Sequence, residues 1–293
     1  MKSFLSLILL TFSISSFAQI KFKWLGITAM TISDGKTTLF FDPAITRFSP
    51  LDFLPFKKIQ SNHAEVDYWL NRCGVNSVQA TIVNHAHTDH VIDAPYVVKK
   101  FKNKLFGSSS VMNVGRGHGL SSHELQEIKH GGVFKIGDFM ISTFNTPHPP
   151  HAAGIMLMDG HIEKPIPPQA SAWDYKVGDT FSFYITHPKG KILYQAVADI
   201  ENNGPLQKLK ADVAFISIAN RTSTEKILTE TLRPTRANLV IPLHIDNFFY
   251  PMKRTGEIDL WWGLKLEEFN QKLQASGLKV HVPKYCDEVT LFN

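Results

Sequence analysis

Apolar residues in this chain come in short blocks, and the spacing inside the blocks switches between the period of strands and that of helices. Residues 21–42 read as paired strands: the segment KFKWLGITAMTI, a turn at Ser33-Asp34-Gly35-Lys36 and the run TTLFFDP fit a hairpin. Residues 48–56 form a loop rich in proline and phenylalanine. Over 62–73, Val66, Trp69, Leu70 and Cys73 share one helical face; Asn62 and Glu65 have capping-box spacing, and Gly74 stops the helix. Residues 80–84 are a short buried strand, and a helix starts near Pro95, which suits a first turn. The pattern then predicts a helix over 121–130 opened by Ser121 and Glu124, two strands around Gly137 within 134–146, and a hairpin over 181–198 turning at His187-Pro188-Lys189-Gly190. A strand at 214–218, a helix over 222–232 ended by Pro234, a strand at 238–244, a helix at 266–276 and a final strand region at 279–292 complete the series. No internal repeat or linker interrupts it, so one α/β domain over 19–293 is expected, with helices covering sheets.

Composition changes this picture little: 43% hydrophobic residues leave ample material for a core. The net charge of +5 is spread without blocks of like charge, which argues against a nucleic-acid partner. The first residues add more. In 1–18 a single lysine precedes an apolar run, and Ser16 and Ala18 place small residues before a cut, the pattern of a secretory signal peptide. The run is shorter than the roughly 20 residues a span needs. A periplasmic or secreted protein without a stable membrane span is expected. Cys73 and Cys286 are far apart, two thiols make no disulfide framework, and the helix face already accounts for Cys73, so separate thiols are expected.

The candidate chemistry lies in Thr81-Ile82-Val83-Asn84-His85-Ala86-His87-Thr88-Asp89-His90. Residues two apart in extended backbone point the same way, so His85 and His87 can converge on one metal. The turn that ends the strand can aim Asp89 and His90 at an adjacent position. Imidazole and carboxylate suit zinc, iron or manganese, with zinc the default at catalytic sites. Three histidines and a carboxylate within six positions are hard to match in an ordinary polar loop.

This His-x-His-x-Asp-His run after an apolar strand resembles the hallmark of the metallo-β-lactamase fold superfamily, and Asp42-Pro43 closing TTLFFDP is similar to its second landmark. The branch it most resembles holds ascorbate-phosphate lactonase-like and N-acylphosphatidylethanolamine phospholipase D-like hydrolases. The resemblance covers nearly all of the chain after residue 18. It implies a four-layer αββα sandwich with the metals at one edge between the sheets. It also implies three more ligands, each ending a strand. FMISTFNTPHPPH offers His148 and His151; His148 follows the strand directly and is preferred, with His151 left to support a ligand or contact substrate. Asp199 in KILYQAVADI fits the bridging carboxylate, where β-lactamases of this fold carry cysteine, and His244 in NLVIPLHIDNF fits the last ligand. The implied site has one metal on His85, His87 and His148 and a second on Asp89, His90 and His244, with Asp199 and a water between them. Two zinc ions are expected, with manganese or iron as alternatives. They would convert that water to hydroxide near neutral pH, and Asp89 and Asp199 are the expected catalytic carboxylates.

The expected reaction is hydrolysis of an ester, lactone or phosphodiester in a small-molecule or lipid-like substrate. Residues 47–56, 114–120 and 247–263 are candidates for the mouth. Their aromatic residues suggest an apolar substrate portion; Arg47, Lys253 and Arg254 suggest an anionic one; the run Gly115–Gly119 reads as a mobile loop. A phospholipid phosphodiesterase on the same fold, and a non-catalytic metal-binding module, are the competing readings.

Overall fold

The computed structural model describes residues 19–151, 155–197 and 206–293. In β1 (Ile20–Trp24) every second residue is buried, so Phe22 and Trp24 face inward while Lys21 and Lys23 stay partly exposed. Around it the first sheet runs β14 (Glu288–Phe292), β1, β2 (Met30–Ser33), β3 (Thr38–Phe41), β4 (Ala80–Ile82), β5 (Lys104–Gly107) and β6 (Leu125–Glu127). The second runs β13 (Lys279–Val280), β12 (Leu239–Leu243), β11 (Val213–Ser217), β10 (Gly190–Gln195), β9 (Phe181–His187), β8 (Phe139–Asn145) and β7 (Val133–Ile136). Each sheet has three antiparallel pairings on one side and three parallel ones on the other. The parallel strands β4 and β11 are buried along their whole length, as strands covered on both faces must be.

The sheets pack face to face through aromatic rings. Phe22 lies 4.7 Å from Phe215, and Phe41 lies 5.7 Å from Phe183 and 5.4 Å from Tyr194. Helices α1 (His63–Arg72), α2 (Thr88–Val91), α3 (Ala94–Phe101) and α4 (Ser109–Gly117) accompany the first sheet. Helices α5 (Thr224–Ile227), α6 (Arg233–Thr235) and α7 (Leu266–Ala275) accompany the second. This is the expected four-layer αββα sandwich.

Four local expectations need correction. Residues 121–130 are not a helix. Ser121 and Glu124 do form a capping box, but over a single 3-10 turn, and β6 follows by pairing with β5. The free edge of β5 offers hydrogen bonds that an exposed helix would forgo. The glycine run at 115–119 is the end of α4 and its cap, not a mobile loop. A Cβ on Gly117 would meet the Ile166 carbonyl oxygen at 1.8 Å, so this glycine serves close packing. Pro234 does not end its helix: a π-helical stretch, Leu228–Leu232, joins α5 to α6, and the helical run passes Pro234 to end at Thr235. Finally, Cys73 and Cys286 are bonded to each other across 213 residues of sequence. The same apolar helix face that accounts for Cys73 carries it onto the sheet, where Cys286 donates its N–H to Trp24 O (2.9 Å) just before β14.

Candidate metal centre

The histidine run leaves β4 at the carboxyl end of the strand. Three backbone hydrogen bonds hold the turn: Asn84 N–H to Asp42 Oδ1 (2.6 Å), Ala86 N–H to Val177 O (3.0 Å) and Phe181 N–H to Asn84 O (3.2 Å). His87 is the N-cap of α2, and that short helix presents Asp89 and His90. His148 follows β8. His244 follows β12, where its N–H donates to Ile27 O (2.7 Å). Asp42 and His244 both have left-handed backbones, φ 44° and 56°. Such conformations are uncommon outside glycine and gather at functional sites.

The structure brings six of the expected residues into two groups. His85, His87 and His148 place ligand atoms within 4.8 Å of one another, and so do Asp89, His90 and His244. The groups are contiguous, with the His85 and His90 rings 3.9 Å apart. Asp199 lies outside the described residues.

Hydrogen bonds decide which ring nitrogen is available in these groups. His85 Nδ1–H donates to Asn84 Oδ1, and His148 Nδ1–H donates to Pro149 O (2.7 Å). His90 Nδ1–H faces Asp42 Oδ2 (3.1 Å) and Thr28 Oγ1 (3.1 Å). Fixing the hydrogen on Nδ1 leaves the Nε2 lone pair free, and outer partners hold metal-bound imidazoles in this way. His85 Nε2 meets His87 Nδ1 at 3.1 Å. A free imidazole lone pair facing another ring nitrogen at that distance calls for a proton or a cation between them. His244 Nε2 lies 3.2 Å from Asp89 Oδ2, with His90 Nε2 3.8 Å from the same oxygen. Asp42, which holds His90, also accepts from the Tyr194 hydroxyl. Sequence reasoning finds Asp42 as a landmark but gives it no task, and Tyr194 and Asn84 escape it, because nothing local marks them.

The charge states suit the same use. Burial, then the neighbouring histidines, pushes His85 well below its ordinary value. Burial lowers His87 to about 4 and His148 to about 3. These rings are neutral near pH 7, the form that binds metal. Burial pushes the Asp89 carboxyl up, but His90 and His244 outweigh it and hold the group well below the usual carboxylate range. Burial lowers His90, while Asp42 and Asp89 more than offset it.

His151 is placed differently. Its ring lies 5.0 Å from that of His148, but its Nδ1 accepts the Leu157 N–H at 3.1 Å. In the neutral ring the hydrogen therefore sits on Nε2, which makes His151 a donor beside the centre. The expected anion-binding side chains are already engaged. Arg47 pairs with Asp246 at 3.0 Å with both side chains buried, Lys253 pairs with Glu257 and Asp259, and Arg254 pairs with Glu65. The expected aromatic residues form a chain of ring contacts that starts beside the centre. Phe248 lies 5.5 Å from His244, and Phe249, Trp261 and Phe53 continue the wall outward.

A family model described as a β-lactamase superfamily domain matches residues 21–244. The chain belongs to this superfamily of metal-dependent hydrolases. It is 24% identical over 278 residues to a UPF0173 metal-dependent hydrolase of Thermus thermophilus, covering 91% of this chain and 96% of that protein. Solved structures share the fold at low identity. The isothiocyanate hydrolase from Delia radicum gut bacteria superposes with a TM-score of 0.61 at 14% identity, covering 93% of this chain and all of the other (100%). CmlA, a diiron β-hydroxylase from Streptomyces venezuelae, gives 0.55 at 11% identity, covering 94% of this chain and 54% of that one.

Proposed function

We propose that this superfamily member is an exported hydrolase that uses two cations to cleave an ester, lactone or phosphodiester bond in a small or lipid-like substrate. The observation that carries the reading is the pair of contiguous groups whose free imidazole nitrogens converge. His85, His87 and His148 would hold one cation, Asp89, His90 and His244 the other, and Asp199 would span them. Bound there, two cations lower the pKa of a shared water and polarise the scissile bond. The chain does the rest. Asn84, Asp42 and the Pro149 carbonyl hold the rings in one tautomer. Asp89 stays ionised and can pass a proton from the attacking water to the leaving oxygen as the bond breaks. The Nε2–H of His151 can donate to the substrate oxygen that gains charge. The wall of Phe53, Phe248, Phe249 and Trp261 excludes water and receives an apolar substrate portion, and this wall favours a lipid-like phosphodiester as the second reading.

Export rests on the pattern of residues 1–18, and the Cys73–Cys286 bond supports it, since such bonds persist in oxidising compartments. Exported protein should begin at Gln19 on N-terminal sequencing. Protein purified without chelator should carry about two metal ions per chain. Loaded with zinc, manganese or iron, it should turn over one class in a panel of esters, lactones and phosphodiesters. Full activity without metal would overturn the reading, and retained metal with no turnover across the panel would favour the binding module.

A further inference from the structure

Two residues beyond His244 lies a buried carboxylate. Asp246 is 1% exposed and uses both of its oxygens. The Ile27 N–H donates to Oδ1 (2.8 Å), and Arg47 Nη2 (3.0 Å) and the Tyr285 hydroxyl (3.0 Å) donate to Oδ2. The Arg47 side chain is as buried as its partner, and its Nη1 donates to the carbonyl oxygens of Ala44 (2.5 Å) and Ile45 (3.2 Å). The turn that Asp246 grips, residues 25–29, touches two ligands of the Asp89–His90–His244 group. Ile27 O accepts the His244 N–H (2.7 Å) and Trp24 Nε1–H (3.0 Å). The Thr28 hydroxyl oxygen lies 3.1 Å from His90 Nδ1.

Stability alone is a weak reason for this arrangement. A buried ion pair costs desolvation that well-packed apolar side chains avoid. Ile27 is β-branched and has φ 47°, a backbone that such a residue takes only where its surroundings over-determine it. What the pair supplies is position. It ties together the segments that follow β1, β3 and β12. The first carries Ile27 and Thr28, the second begins at Asp42, the other partner of His90 Nδ1, and the third carries His244. The rings of the other group are fixed elsewhere, His85 by Asn84 and His148 by the Pro149 carbonyl.

We infer that Asp246, anchored by Arg47, is a positioning residue: it holds the turn at 25–29 so that Ile27 and Thr28 fix His244 and His90, and it thereby sets the affinity of one cation site and not the other. The effect on affinity rests on the two-cation reading above; the hold on His244 does not. Two variants test it. Asp246→Asn keeps the shape but cannot accept on both sides. Arg47→Met with Asp246→Leu replaces the pair by apolar side chains and leaves no lone buried charge to unfold the chain. In the full chain after residue 18, freed of metal, amide hydrogen exchange at His244 should quicken about tenfold or more in both variants. Exchange at Val83, whose N–H donates to Phe106 O (2.8 Å) just ahead of the other group, should stay as in the wild type. With metal restored, chelator competition should show the cation that His244→Ala loses bound about 10–100-fold more weakly, and the other unchanged. Wild-type exchange at His244 in both variants overturns the inference. Equal weakening of both cations overturns it too, because general loosening of the fold would do the same. A wild type that binds fewer than two cations would instead end the two-cation reading, and the exchange at His244 would still decide whether Asp246 holds the turn.

Discussion

At one end of the sandwich, where β4, β8 and β12 finish, five histidines and Asp89 meet in two groups. At the other end, the turns after β2, β7 and β9 bring Asp34, Asp138 and His187 equally close, with ligand atoms within 4.8 Å. Residue type and spacing do not tell these ends apart; hydrogen-bond direction does. His187 Nδ1 accepts the Lys189 N–H at 3.2 Å, so in the neutral ring its hydrogen sits on Nε2, 3.5 Å from Asp34 Oδ2. The other Asp34 oxygen takes the N–H groups of Lys36 and Thr37. That end is arranged as a contact between a ring N–H and a carboxylate that ties two turns together. At the strand ends the hydrogens of His85, His90 and His148 sit on Nδ1, and their Nε2 lone pairs are left for the two groups.

The widest way to break this comparison is to delete one histidine of each kind. His148→Ala should lose metal from its group and cost more than about 100-fold in turnover, since even the outer partners of such rings are worth 10–100-fold. His187→Ala should keep full metal content and turnover. His151→Ala should keep the metal and lose about 100-fold in rate, the low end for a missing proton donor. Elemental analysis and kinetics on the three variants decide it. Loss of metal in the His187 or His151 variant would show that hydrogen-bond direction is a poor guide.

A smaller effect is expected one layer out. Asp42→Asn keeps the shape but weakens the acceptor behind His90, and metal affinity of the Asp89–His90–His244 group should fall about 10–100-fold. Chelator competition would measure this. An unchanged affinity would mean that Thr28 alone fixes the ring.

The ligand-rich segments are legible in the sequence because each is local: an apolar strand delivers its next residues to the sheet edge, and β4 into His85–His90 is the plainest case. The partners that set the tautomers are not. Asp42, at the end of β3, reaches His90, and Tyr194 of β10 in the other sheet donates to Asp42, at separations that no local pattern records. The Cys73–Cys286 bond escapes the sequence for the same reason. At Gly115–Gly119 the error is one of meaning: the glycines suggest mobility, whereas Gly117 serves close contact with Ile166. Arg47 reads as a free cation in the sequence because its partner, Asp246, is 199 residues away.

Stability sharpens the comparison further, because the disulfide and the far end should act on folding and leave the metals alone. Reducing Cys73–Cys286 should cost ~2–4 kcal/mol, read as a lower melting temperature at constant metal content. Loss of metal on reduction would show that α1 helps to hold the centre.

The smallest effect concerns the far end alone. Gly137, in the turn between β7 and β8, has φ 57°, and a Cβ there would meet Thr37 Oγ1 at 2.0 Å and Thr37 Cβ at 2.9 Å. Thr37 is buried and β-branched, so it cannot swing aside freely. Gly35, in the neighbouring turn after β2, has φ 86° and nothing within 4 Å of its would-be Cβ. Gly35→Ala therefore carries only backbone strain, ~1 kcal/mol. Gly137→Ala carries similar strain plus the contact, ~1–3 kcal/mol in all. The difference between the two variants, measured by denaturant unfolding, isolates how tightly this end closes over Thr37. Both should retain metal and turnover per folded molecule. Equal costs would mean that Thr37 yields and the far end is loosely packed, and lost turnover in either would mean that the two ends are coupled through the sheets.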